Sequence, residues 1–287
     1  MPIRQAQGPR LVLVDGHAIL HRAYHAFPKS LTTRHGELVN AVYGFSRILL
    51  SVLSELAPKY VVVAFDLPVP TFRHKEYVGY QVQRPAMDAE LKDQITRVKE
   101  VVEALNIPIF AVPGFEADDV IGTLARQATC EVIIITGDKD ILQLVRPKVK
   151  VYAPGRGMAE AVIYDKRSVF KYLGIYPEQI VDYKALVGDA SDNYPGVPGI
   201  GPKTAVALLG KYKNLANLYR HLRELKPLVA QRLTQGKESA LLSKRLAKIS
   251  EKAPIKLDLK ACLVHDYNQQ RVTDLFNDLE FKSLISK

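Results

Sequence analysis

Apolar positions in the amino-terminal half alternate between two rhythms. Leu11-Val12-Leu13-Val14 is a leucine and β-branched run that ends at Asp15, short enough for a buried strand and too short for a helix. Asn40–Leu56 carries apolar residues at helical spacing and closes at Pro58. Val61–Phe65 is a second strand-like run, ending at Asp66. Over Asp88–Leu105 the residues Leu91, Ile95, Val98, Val102 and Leu105 recur at three- and four-residue steps, as on an amphipathic helix. Ile107–Val112 then reads as a strand, Glu116–Ala128 as a helix and Glu131–Thr136 as a fourth strand, with a short helix starting near Asp140. Such alternation predicts an α/β fold, a Rossmann-like central parallel sheet flanked by helices on both faces.

The rhythm changes near Leu173–Pro177. Helical spacing dominates from there, broken by the Gly/Pro-rich stretch Gly196–Pro202 and followed by the basic helical stretch Ser243–Lys248. Two domains are expected, residues 1–173 and 174–287, with no long repeat and no low-complexity segment. The longest apolar runs are far too short to span a bilayer. Met1–Gln5 leads into polar residues without the long apolar segment and cleavage site of a secretory signal. The expectation is a cytoplasmic protein without a membrane partner.

Composition changes this picture at two points. The two cysteines, Cys130 and Cys262, lie far apart and share no CxxC spacing, which argues against a zinc site and a disulfide framework. Forty basic residues against thirty acidic ones give a net charge of +10 and a pI near 9.4. That balance suits a polyanion partner.

The acids gather where this fold class binds ligands, beyond the carboxyl ends of the strands. Asp15 follows the first strand and Asp66 the second; Glu116, Asp118 and Asp119 follow the third; Asp138 and Asp140 follow the fourth. Each alone reads as a turn residue or helix cap, and acids at a helix start are favoured by its dipole. Together, in a basic protein, they repel one another unless cations compensate. An oxygen-rich site without Cys or clustered His suits Mg2+ or Mn2+. Two such ions suit in-line displacement at phosphorus. No GxSxG elbow and no GxxxxGK[ST] loop is present, so acyl transfer and NTP hydrolysis lack a seat. His17, His21 and His25 recur at helical spacing. Their apolar neighbours favour a core or surface stripe over a zinc face.

The richest stretch is Gly188–Ala205, GDASDNYPGVPGIGPKTA. Gly199 and Gly201 bracket an apolar residue, and Pro202 sits where a first helical turn tolerates it. Free backbone N–H groups at that helix start, with Lys203 beside them, would hold a phosphate without reading a base.

These stretches, with DGHAILHRAYHAF (Asp15–Phe27), VVVAFD (Val61–Asp66), GFEADDVIGTLA (Gly114–Ala125) and TGDKDILQLV (Thr136–Val145), resemble the 5′ nuclease domain of bacterial DNA polymerase I, stand-alone 5′–3′ exonucleases and flap endonucleases. The likeness continues through LLSKRLAKI (Leu241–Ile249) to LEFKSL (Leu279–Leu284). It implies a PIN-like sheet and a carboxy-terminal all-helical DNA-binding domain with a helix–three-turn–helix motif. Asp15, Asp66, Glu116, Asp118 and Asp119 match a first metal cluster; Asp138, Asp140, Asp189 and Asp192 match a second. The motif at Gly196–Lys203, with Gly196, Gly199, Gly201, Lys203 and Thr204, would grip duplex DNA around a K+ ion. Residues 71–91 would form a helical arch or clamp over the single-stranded 5′ end. Arg84, Lys75, Arg22 and Tyr24 match positions near the reacting strand, and Arg73 lies close to DNA. The implied function is 5′–3′ exonuclease and flap endonuclease action on 5′ flaps, nicked or branched duplex and RNA-primer ends, beside a DNA polymerase, in replication and repair.

One position departs from the pattern. Gln81 stands where the family typically carries a phosphate-directed lysine, which leaves Arg84 as the main cation there. Losing such a contact could cost about 10²–10³ in rate. Two other classes compete with the enzyme: a structure-specific DNA binder with degraded catalysis, suggested by Gln81, and a PIN-type ribonuclease, which generally lacks the Gly/Pro duplex-binding half.

Overall fold

Parity within the short strands decides which side chains meet which core. A computed structural model describes residues 8–155, 161–264 and 267–285; the segment Met1–Gln5 weighed above as a leader lies outside them. β1 (Arg10–Asp15) runs between β2 (Tyr60–Ala64) and β4 (Glu131–Ile135), so that Leu13 stands beside Val62 and Ile134. Leu11, Leu13, Val62, Ala64, Val132 and Ile134 face one core, while Val12, Val14, Val61, Val63, Ile133 and Ile135 face another. Each strand is therefore apolar on both sides, as a doubly covered sheet requires.

The sheet has six strands in the order β3-β2-β1-β4-β5-β6. β3 is only Ile109–Phe110. β5 (Val149–Ala153) extends the parallel sheet and β6 (Val162–Tyr164) closes it antiparallel. These two strands join the four legible in the sequence, so the sheet is mixed at one edge. α1 (Gly16–Ala26), α2 (Asn40–Leu56) and α4 (Ala89–Ala104) cover one face. α5 (Ala117–Gln127) and α6 (Lys166–Leu173) cover the other.

That second core continues without a break into the helical half. α7 (Ile180–Val187), α8 (Pro202–Tyr212), α9 (Leu215–Arg220), α10 (Pro227–Gln235) and α11 (Lys237–Ala247) supply Leu186, Leu209, Leu218, Leu233 and Ala240 to it. The last helices go elsewhere. Val272 and Phe276 of α12 (Gln269–Asp278) and Leu284 of α13 (Lys282–Ile285) pack into the core of α2 and α4. By packing, the carboxy-terminal end of the 174–287 segment belongs with the sheet.

The clamp segment is not a long helix. α3 covers only Phe72–Glu76, and turns run from Val78 to Gln83. Gly79 and Pro85 interrupt any longer helix. The segment is pinned instead by a small cluster in which Tyr80 packs with Tyr194, Leu246 and Ala247 of the helical half.

Candidate metal centre and nucleic-acid interface

The strand ends deliver their acids to one rim, on both sides of the point where strand order reverses. Asp15 ends β1 and caps α1, accepting the Ala18 N–H at 3.0 Å. Its other oxygen accepts the Thr136 hydroxyl at 2.8 Å. Asp66, just past β2, accepts the Ala117 N–H at 2.7 Å. Glu116 caps α5, and Asp118 and Asp119 fill its first turn. The helix dipole favours acids there. Asp138 is held by Thr136, whose hydroxyl oxygen accepts its N–H at 3.0 Å, and accepts the Asp140 N–H in turn at 2.8 Å.

Burial and, to a lesser extent, mutual repulsion shift these acids. Burial, with smaller contributions from Asp138, Asp15, Asp66 and Glu116, raises Asp118 well above the usual carboxylate range. Asp15 is raised to about 7 by burial, reinforced by Asp66 and Asp138 and opposed by its Ala18 and Thr136 hydrogen bonds. Glu116 also reaches about 7, again through burial, with Arg73 opposing. Carboxylates so placed favour a proton or a cation.

The second cluster crosses between the halves. Asp140, Asp189 and Asp192 each offer an oxygen within 4.8 Å of the others, the one such group among the described residues. The charge of Asp138 acts on both clusters, raising Asp15, Asp118 and Asp140 alike. Asp140 rises to about 6, with burial ahead of every other cause and Lys184 opposing. Lys184 of α7 lies 2.7 Å from Asp140 and also pairs with Asp189. The sequence reading missed it, because a lysine in a last helical turn is explained by the dipole alone. Asp189 falls below its usual range: burial raises it, but the Lys184 and Ser191 bonds outweigh burial. The Tyr194 hydroxyl is buried among the described residues without a hydrogen-bond partner, in the field of Asp140, Asp189 and Asp192. An all-oxygen donor set with one orphaned hydroxyl nearby fits a hydrated hard divalent cation.

Two of the candidates are bonded to each other. Arg73, expected at DNA, is buried and forms a bidentate pair with Asp119, at 2.7 and 2.9 Å. It also donates to the carbonyls of Leu246 and Lys248 and lies 3.2 Å from Glu116. Asp119, expected as a metal ligand, accepts in addition the N–H groups of Glu116 and Ser250. Both oxygens are occupied, so this pair is a strut between clamp, α5 and helical half. The histidines form no metal face among the described residues. His17 Nδ1 accepts the Asp66 N–H at 3.0 Å, and the rings of His21 and His25 lie 5.0 Å apart.

The remaining candidates divide by exposure. Arg84, Lys75 and Lys203 are exposed, and their side chains make no hydrogen bond or ion pair among the described residues. Arg22 donates to the carbonyls of Pro154 and Gly155, and the Tyr24 hydroxyl to Asp88 and Glu90 at 2.9 and 3.0 Å. The Gly-rich loop is tight. A Cβ on Gly196 would lie 2.2 Å from the Gly188 nitrogen, and Gly196 and Gly199 have φ of 62° and 81°. Ser243 receives the Gly196 N–H at 3.0 Å and Ser239 donates to its carbonyl. Gly201 caps α8 without a side-chain bond, and Thr204 lies partly buried in the first turn. The helix therefore presents free N–H groups beside Lys203.

Residues 10–174 match the family model described as the 5′-3′ exonuclease amino-terminal resolvase-like domain, and residues 175–270 the 5′-3′ exonuclease carboxy-terminal SAM fold. The chain belongs to the 5′–3′ exonuclease family. This exonuclease-family chain is 44% identical over 280 residues to DNA polymerase I of Chloroflexus aurantiacus, covering 95% of the chain and 30% of that protein. It is 38% identical over 282 residues to DNA polymerase I of Bacillus subtilis, covering 97% and 32%. It thus spans about a third of the curated relatives it matches. Among solved structures, the phage T5 D15 protein co-crystallised with metal ions superposes with a TM-score of 0.70 at 20% identity, covering 95% of this chain and 98% of that one. The catalytic core of Rad2 in complex with DNA substrate gives 0.64 at 17%, covering 100% and 95%. At those identities the likeness establishes the fold. The family is one of metal-dependent nucleases, and no helix among the described residues is long and apolar enough to cross a membrane.

Proposed function

We propose that this chain is a 5′–3′ exonuclease and structure-specific flap endonuclease that hydrolyses DNA or RNA-primer phosphodiester bonds with two divalent ions, Mg2+ or Mn2+, during replication and repair in the cytoplasm. One observation carries the reading: Asp140, from the short helix that follows β4, meets Asp189 and Asp192 from the helical half within 4.8 Å. The half with the phosphate-binding loop thereby also completes the acidic centre. Asp140, Asp189 and Asp192 would hold one ion. Asp15, Asp66, Glu116 and Asp118 would hold the other, with the charge of Asp138 acting on both clusters. Bound there, such ions supply charge neutralisation and Lewis acidity for in-line displacement at phosphorus.

The chain's own groups do the rest. Arg84 and Lys75, exposed and without a side-chain partner among the described residues, neutralise the phosphate of the entering 5′ strand. Lys184 balances part of the carboxylate charge. Gly196–Thr204 and the α8 amino-terminus hold the duplex by its backbone, with K+ as a candidate ion at that loop. Flapped, nicked or branched duplexes with a 5′ end are the expected substrates, the product carrying a 5′-phosphate, with a DNA polymerase as the natural neighbour. The similarity to DNA polymerase I supports that setting.

The test is release of product from a labelled 5′-flap duplex with Mg2+ or Mn2+, with and without chelator. Cutting that needs metal and is abolished by Asp138→Ala with Asp140→Ala, while duplex affinity survives, fits the proposal. Metal-independent cutting, or none, contradicts it.

A further inference from the structure

Gln81 occupies the position where the family resemblance implies a lysine, and its side chain is turned into the second acidic cluster. Its Nε2 donates to Asp192 Oδ1 at 2.9 Å, and its backbone N–H donates to the Asp192 carbonyl at 3.0 Å. Next to it, Asn193 Nδ2 donates to the Gly79 carbonyl at 2.7 Å. Two left-handed residues make the approach possible, Gln81 at φ 55° and Asn193 at φ 56°.

These bonds differ in what they require of residue 81. The backbone contact and the Asn193 contact join clamp to loop whatever side chain stands at 81, and Tyr80 packed on Tyr194 does the same. Only the amide-to-carboxylate bond depends on glutamine. It is spent on an oxygen of a candidate metal ligand, while Asp192 Oδ2 is left without a partner among the described residues. We infer that Gln81 is a positioning residue for the second metal cluster: its amide fixes the Asp192 carboxylate by one oxygen and leaves the other for the ion shared with Asp140 and Asp189. This rests on the metal reading of that cluster given above.

Charge explains why a neutral donor suits the place. Lys184 already pairs with Asp140 and Asp189, and Arg84 is close enough to act on Asp192. A third cation in contact with Asp192 would compete with a divalent ion for the same oxygens. An amide orients the carboxylate without that competition, at the expense of one phosphate-directed charge. Groups that orient metal ligands from behind typically change metal affinity by about 10–100-fold when removed.

The experiment measures Mn2+ binding to the metal-free, DNA-free chain by the loss of the free-ion paramagnetic resonance signal, with thermal unfolding alongside. Wild type, Gln81→Ala, Gln81→Gly and Asp192→Ala are compared. Gln81→Ala and Gln81→Gly are expected to weaken one class of Mn2+ sites equally, by about 10–100-fold. Their melting temperatures should differ, because glycine relaxes the left-handed backbone and alanine does not. A staple with no role at the metal would move the melting temperatures and leave Mn2+ affinity alone. That outcome overturns the inference. Wild type that binds no Mn2+, or Asp192→Ala that binds it unchanged, overturns the metal reading of the cluster itself and the inference with it.

Discussion

Arg73 and Asp119 join the clamp segment to α5 through two hydrogen bonds, at 2.7 and 2.9 Å, with the arginine 2% and the aspartate 0% exposed. Burial alone would lower the guanidinium's pKa; the Asp119 bonds and the charges of Glu116 and Asp119 raise it instead. Removing one partner of such a pair strands a buried charge, at a typical cost of about 3–5 kcal/mol. Asp119→Asn is therefore expected to lower the urea-unfolding free energy by about that amount. If stability holds and cleavage alone is lost, Asp119 is a metal ligand after all.

The pair also marks where the sequence stops being legible. Strand ends could be read because parity and apolar runs fix them, and the acids that follow each strand have little freedom in where they fall. Asp140, Asp189 and Asp192, which the resemblance matched with Asp138 to a second cluster, offer oxygens within 4.8 Å of one another. Arg73 and Asp119 could not be matched from spacing alone, being 46 residues apart, the one expected at DNA and the other at a metal. β5 was hidden because Lys150 interrupts its apolar run, and β6 because it has only three residues. The clamp's interruption was visible in Gly79 and Pro85. The resemblance outweighed it.

Gln81→Lys should speed the cleavage step. It restores a cation beside the reacting phosphate, so single-turnover cleavage of a flap at saturating metal is expected to accelerate, by up to about 10²–10³. An unchanged rate contradicts the role given to that position.

Lys203 lies exposed at the start of α8 without a protein partner among the described residues. Lys203→Ala should weaken binding of a duplex uniformly across sequences and reduce the slope of log affinity against log salt by about one. A sequence-selective effect would place a base there rather than a phosphate.

The acids also set a pH dependence for the metal-free protein. Burial lifts Asp15 and Glu116 to about 7 and Asp140 to about 6, from 3.8 for aspartate and 4.5 for glutamate. Between those limits the folded chain retains protons that the unfolded chain has released, so stability falls as pH rises through the folded values. Asp189, shifted down, titrates below this window. The melting temperature of chelator-treated protein should decline from pH 5 to 7.5. The increment given by Mg2+ should grow over the same range, since the ion binds the deprotonated acids. A rise across the window without metal contradicts this reading.

The claim on which the rest depends is that acids from both halves converge on divalent ions, and crystals soaked in Mn2+ test it most directly through anomalous scattering. The expected map has one peak among Asp140, Asp189 and Asp192 and a second among Asp15, Asp66, Glu116 and Asp118. A map without density at either cluster, or with ions only on unrelated surfaces, would contradict it.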